Sequence, residues 1–229
     1  EWVEKQTNGK ITNILSEENR GYVCALANAI YMKADWVNKF EKEGTYKETF
    51  TDINGDESEI DFMHQAADFK YYENGDTKAV KLPYENGLSM VVVLGDTKNI
   101  LNDIHNNKMT SKLVDVSLPK FKAEYSIDYV NILKNMGIEK AFDNQNADFS
   151  LMLENYPERI KIDSVLQKAM IDVDEKGTEA AAATVAVLTK SALSVDEEVI
   201  EFRADKPFTY YILDDSGNVY FAGRYVKAE

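Results

Sequence analysis

Between Ala180 and Thr189 the chain reads AAAATVAVLT, with no charge and no side chain larger than leucine. DEKG precedes this run and SVDEE follows it closely, in a chain where 29% of residues are Asp, Glu, Lys or Arg. Alanine is the best helix former whereas Val and Thr favour strands, so local propensity does not choose a conformation. One solution is a permanently buried strand or helix, although residues so uniform in size make a poor core. The other is a segment that stands in solvent in one state and enters a sheet as a strand in another. Insertion needs small, uncharged side chains on the inward parity. Thr178, Ala180, Ala182, Thr184, Ala186 and Leu188 meet that need, and Glu179, the charge on the opposite parity, would face outward. Gly177 just ahead tolerates the large φ/ψ change of a hinge. About ten new ladder hydrogen bonds at about 1 kcal/mol each, with about 0.8 kcal/mol per buried methyl-sized group, give on the order of 10–20 kcal/mol. That rivals the stability of a whole domain, and an unpaired inward charge would stall the process. The pattern alone leaves both solutions open.

The rest of the chain is rich in strand signals. Gly21 to Met32, GYVCALANAIYM, reads as a central strand buried on both faces, and LSMVVVL, Leu88 to Leu94, has the same character. FTYYIL (Phe208 to Leu213) and VYFAGRYV (Val219 to Val226) flank a turn in which Gly217 and Asn218 suit positive φ. Shorter strands are expected near Tyr46, Ile60, Phe69 and Ala79. Helices are fewer: IDYVNILKNMG places Tyr129, Ile132, Leu133 and Met136 on one face with Gly137 as a stop. A second spans Lys98 to His105, and the opening segment ends a third. This predicts an α+β fold with large, mostly antiparallel sheets. The 229 residues suffice for one large domain or two small ones.

Several functions are disfavoured by composition. The net charge of −14 opposes binding to nucleic acid or to an anionic membrane, and no apolar run is long enough for a membrane-crossing helix. The single cysteine, Cys24, lies in an apolar run and reads as a buried structural thiol. No G-x-S-x-G, H-E-x-x-H or phosphate-cradling glycine loop is present, and no cofactor or metal is implied. His64 reads as a structural residue in a strand and His105 as a solvated helix end, so no catalytic group is assigned. The opening EWVEKQTNGKITNIL resembles neither a signal peptide nor a natural start, and reads as cut from something longer.

DEKGTEAAAAT, Asp174 to Thr184, resembles the hinge of the reactive-centre loop of serpins. NAIYMKADWVNKF (Asn28 to Phe40), LPYENGLSMVVVLGD (Leu82 to Asp96), LPKFKAEYSIDYVNILKNMGIEKAF (Leu118 to Phe142) and ADKPFTYYILDDSGNVYFAGRYV (Ala204 to Val226) resemble further serpin segments in order and spacing. Met32, Ala34 and Gly95 depart from the family pattern, and RYVKAE lacks its frequent terminal proline. The resemblance covers residues 1–229 and implies one incomplete serpin domain, whose N-terminal helical part is missing, with a reactive-centre loop at about 175–197. It implies a suicide-substrate inhibitor of serine, and sometimes cysteine, proteases: the acyl-enzyme is trapped as the cleaved loop inserts into the central sheet.

By the same resemblance Glu175, Gly177, Thr178, Glu179 and Ala180, Ala181, Ala182 and Ala183 form the hinge. Glu175 and Lys120 match an ion pair at the top of the sheet near Trp36. Asn28 matches a residue beneath the opening strands, where Gln167 stands in place of a frequent histidine. The reactive bond is Lys190–Ser191, which suits a trypsin-like protease, or Ser191–Ala192, which suits an elastase-like or subtilisin-like one. Further implied partners are the missing N-terminal portion or a second copy of the chain. Residue usage looks bacterial, and the resemblance favours a secreted or cell-surface protein. The alternative is a non-inhibitory binding, carrier or chaperone-like member, against which the hinge, with Glu179 as its one charge from Thr178 to Ala183, argues.

Overall fold

A computed structural model of the protein describes residues 2–12, 14–15, 21–152, 159–178 and 199–228, which form three short α-helices and thirteen strands among them. In chain order they are α1 (Trp2–Gln6), β1 (Ala25–Tyr31), β2 (Ala34–Asp35), β3 (Thr45–Thr51), β4 (Glu57–Asn74), β5 (Thr77–Pro83), β6 (Ser89–Leu94) and α2 (Ile100–His105). There follow β7 (Thr110–Pro119), β8 (Phe121–Asp128), α3 (Val130–Asn135), β9 (Ser164–Asp174), β10 (Gly177–Thr178), β11 (Ile200–Arg203), β12 (Phe208–Leu213) and β13 (Val219–Tyr225). The chain divides into two compact units, Glu1–Met32 with Lys122–Ile171 and Lys33–Phe121 with Asp172–Glu229.

The second unit holds an eight-stranded sheet in the order β11-β7-β4-β5-β6-β12-β13, with β3 also paired to β4. Its centre follows from the Val91-Val92-Val93 run, whose β-branched side chains are buried on both faces of β6 between β5 and β12. All pairings are antiparallel except that of β11 with β7. Phe50, Phe62, Met63, Leu82, Met90, Leu118, Phe202 and Ile212 are fully buried. Phe121 packs against Phe208, Tyr210 and Tyr225 with ring centroids 5.7, 5.3 and 5.2 Å away. The C-terminal hairpin forms as expected, but only Gly217 takes positive φ, at +85°. Asn218 instead donates its backbone N–H and its side-chain amide to Asp214, which ties the turn. The two strands expected near Ile60 and Phe69 are one strand, β4. Gln65-Ala66-Ala67-Asp68 between them contains neither Gly nor Pro, and β7 pairs across it from Phe62 to Tyr71.

In the first unit β1 pairs in parallel with β9, from Ala25–Ser164 to Tyr31–Met170, and β8 also pairs with β9. The expectation of a doubly buried central strand at Gly21–Met32 is overturned. Among the described residues β1 has a strand on one side only, and Tyr22, Val23 and Leu26 are exposed. Cys24 is half-buried rather than buried. Val3 and Ile11, from α1 and the segment after it, pack with Met170 of β9. The expected apolar face of α3 is not buried, since Ile132 and Met136 are exposed. The helix is instead bounded at its ends, where Asp128 accepts from the Val130 N–H at 3.0 Å and Gly137 turns the chain at φ +95°.

Replacing Phe62 with alanine is expected to cost about 3–5 kcal/mol. Val219→Ala, at an exposed position, should change stability by no more than about 0.5 kcal/mol. Urea unfolding of the two variants against the parent measures both.

Candidate functional site

Of the residues singled out around the hinge, Glu175, Gly177, Thr178, Trp36 and Lys120 meet at the turn that links β9 to β10, all within the second unit. Asp174, the last residue of β9, accepts from the backbone N–H groups of Lys176 (2.9 Å) and Gly177 (3.3 Å). A short carboxylate side chain that captures N–H groups two and three residues on reverses the chain. The reversal lays β10 antiparallel to β9, with Gly177 opposite Asp174 and Thr178 opposite Val173. On its other side β10 pairs with β2, Gly177 with Asp35 and Thr178 with Ala34. Gly177 and Thr178, separated from the charge-free run by Glu179 alone, are therefore already strand, with a neighbour on either side.

Trp36 holds this turn. Its backbone N–H donates to the Lys176 carbonyl at 2.8 Å and its indole Nε1 to the Asp174 carbonyl at 3.0 Å. The Phe40 N–H donates to the Glu175 carbonyl at 2.8 Å. The indole stacks on Tyr84 (4.2 Å between centroids, 11° between planes) and meets Phe40 edge-on. Tyr84 follows Pro83 at the end of β5, where its N–H donates to the Leu88 carbonyl across the turn ENG. Its hydroxyl lies 2.9 Å from that of Thr178. Both are buried, Thr178 at 0% exposure. Burial raises the Tyr84 phenol above its ordinary pKa, so it is a neutral hydroxyl at physiological pH.

Gly177 is more than a flexible joint. Its φ is +148°, and a Cβ there would strike the Ala34 carbonyl oxygen and stand 2.6 Å from the Asp35 Cα and 2.8 Å from the Trp36 nitrogen. Only glycine lets the two backbones approach this closely.

Glu175 and Lys120 form an ion pair, Nζ lying 3.0 Å from Oε1 and 2.9 Å from Oε2. Glu175 is buried, at 7% exposure. Burial pushes its pKa up, but the Lys120 hydrogen bond and charge, together with a backbone hydrogen bond and the Thr45 hydroxyl, outweigh this and hold it below the ordinary carboxylate value. Its stabilising contribution is therefore complete above the unfolded-state pKa and is lost as pH falls through the lowered folded value.

Asn28 and Gln167 lie in the first unit, as direct register partners across the β1–β9 pair, with Asn28 exposed and Gln167 half-buried. Glu179 to Ala183 and the reactive-bond candidates Lys190, Ser191 and Ala192 lie outside the described residues. Sequence reasoning missed Tyr84, Phe40 and the carboxylate of Asp174. The available signals were an aromatic fixed after Pro83 ahead of an N-G turn and an Asp three residues before a glycine. His64 is a strand residue, its Nδ1 3.0 Å from the Ser117 hydroxyl and its ring stacked on Tyr46. His105 is exposed in the last turn of α2.

Gly177→Ala should destabilise the second unit by about 1–3 kcal/mol, the range for a strained backbone position, read from thermal unfolding. Lys120→Met removes the charge partner of a buried carboxylate and should cost about 1–3 kcal/mol near pH 7, a loss that shrinks as pH falls through the lowered folded-state pKa of Glu175. Glu175→Gln in the same pH series should flatten the acid limb of the stability profile.

The chain matches the family described as serpin (serine protease inhibitor) over residues 1–228. It is 38% identical to an uncharacterized serpin-like protein of Thermococcus kodakarensis, over 98% of this chain and 54% of that one. The native state of the thermophilic serpin tengpin superposes with a TM-score of 0.83 at 30% identity, covering 99% of this chain and 61% of tengpin. Serpin48, described as a highly specific serpin in the insect Tenebrio molitor, gives 0.79 at 33% identity, over 100% and 63% of the two chains. The chain thus spans between 54% and 63% of the length of these relatives. Members of the matched family are generally protease inhibitors rather than catalytic enzymes. With nearly every residue matched to one family and a strand-rich fold of mixed sheets to go with it, the chain belongs to the serpins.

Proposed function

We propose that the protein carrying this chain is a suicide-substrate inhibitor of serine proteases that traps its acyl-enzyme by inserting the cleaved loop into the sheet that holds β9. The observation that carries this reading is the state of the hinge. Thr178 already occupies a buried, doubly paired strand position. The sequence beyond it, from Ala180 to Leu188, keeps small, uncharged residues on the same parity. A segment that continued the strand begun by β10 would place no charge inward.

The protease attacks within Lys190 to Ala192. Cleavage at Lys190–Ser191 suits a trypsin-like enzyme, whose specificity pocket holds an acidic partner for the lysine. Cleavage at Ser191–Ala192 suits an elastase-like or subtilisin-like one. The free energy released on insertion, on the order of 10–20 kcal/mol by the ladder and burial terms, is large enough to distort a bound protease before its ester hydrolyses.

Incubation of the full protein with a panel of serine proteases should give a complex that survives SDS and boiling. Mass spectrometry should place the cut at one of these two bonds. Ala182→Arg puts a charge on the inward parity and should leave cleavage intact while abolishing the stable complex. A parent loop cut as an ordinary substrate with every protease tried would instead support the binding or carrier alternative.

A further inference from the structure

β10 contains only two residues, so few backbone bonds fix it, and its side-chain anchor to the rest of the unit is specific. The Thr178 hydroxyl meets the Tyr84 hydroxyl at 2.9 Å, and either group can donate. Tyr84 is itself held on several sides. It is 2% exposed, its ring stacks on Trp36, and its backbone bridges to Trp36 in an antiparallel pair. Trp36 in turn donates to the carbonyls of Asp174 and Lys176 on either side of Glu175. The phenol is thus the side-chain contact against which Thr178, in the hinge, rests.

We propose that the Tyr84 hydroxyl is a positioning group for loop insertion. By holding Thr178 in the sheet before cleavage, it gives the loop a pre-formed starting point, and it thereby sets how often the acyl-enzyme is trapped rather than released. This rests on the inhibitory reading above. After cleavage, insertion and deacylation compete. A hinge already seated has its first pairs beside β9 and β2 in place, whereas a hinge that has left the sheet must first regain them. Tyr84 is buried and its hydroxyl meets the hinge at Thr178, so its effect is expected on the partition and not on the attack.

Tyr84→Phe removes one oxygen and keeps the stacked ring. Losing one buried hydrogen bond, it should raise amide exchange at Gly177 and Thr178 in the uncleaved protein by about 2- to 10-fold. With a protease that the parent traps, the ratio of cleaved to complexed inhibitor should rise by a similar factor, while the rate of first attack stays as in the parent. Thr178→Val should behave like Tyr84→Phe, Thr178→Ser, which keeps the hydroxyl, should behave like the parent, and the double variant Tyr84→Phe/Thr178→Val should be no worse than either single one. Circular dichroism and thermal unfolding establish that the variants are folded. Unchanged exchange in Tyr84→Phe overturns the assignment. So does a serine variant that matches the valine one, or an additive double variant. If the parent traps no protease, the inhibitory reading falls on that result, and the exchange comparison alone still decides whether the hydroxyl seats the hinge.

Discussion

The backbone of Ala34 to Trp36 and the backbone at Gly177 are in direct contact, and the whole hinge is arranged around that contact. With no Cβ at position 177 the two chains approach until Trp36 N–H reaches the Lys176 carbonyl at 2.8 Å and the indole N–H reaches that of Asp174 at 3.0 Å. Those bonds fix the end of β9, and β9 fixes β10. The Asp174 carboxylate contributes the reversal, and the Lys120–Glu175 pair closes the outside of the turn. None of these is a large energy alone. Their effect is geometric, because each removes a direction in which the turn could otherwise swing.

The division of labour between apolar and polar groups is consistent through the second unit. Its sheet is stabilised by buried Phe, Val, Leu and Met side chains that carry no positional information beyond size and parity. The hinge is specified by polar groups: one ion pair, one hydroxyl pair, two carbonyls capped by a tryptophan. Buried polar groups that are satisfied select one arrangement over its neighbours, and here the selected arrangement is a strand only two residues long.

Most of this architecture was legible from the sequence where the chemistry is local. The β6 run and the β12–β13 hairpin follow from β-branched residues and a turn rich in Asp, Gly and Asn, and the strand content follows from repeated short apolar segments. Burial was less legible. Gly21 to Met32 looks like core by composition, yet β1 is paired on one side only among the described residues, because burial depends on what packs against a strand and not on its own apolarity. The merged strand β4 was hidden because two apolar centres joined by Gln65-Ala66-Ala67-Asp68 look like two strands until β7 is known to span them. At the hinge, Gly177 and Thr178 were legible as small residues ahead of a charge-free run. Tyr84 was not, since it is 94 positions away and its partner is a single hydroxyl.

The magnitudes decide what kind of control such a hydroxyl can exert. A net hydrogen bond worth about 1 kcal/mol is small beside the 10–20 kcal/mol or so of full insertion built from about ten such bonds and the apolar burial that accompanies them. It therefore cannot determine whether insertion is favourable. It can determine the occupancy of Thr178 in the sheet and, on the proposed mechanism, the chance that insertion starts before an ester bond is lost to water. Gly177 is subject to the same logic from the opposite side. Its close approach to Ala34 and Asp35 is costly to imitate with any other residue, which keeps the turn in one place and leaves Thr178 a single seat to occupy. On the proposed inhibitory mechanism a loop that must win a race gains from a fixed starting position, and the groups at that position are one glycine, one tryptophan and one tyrosine hydroxyl.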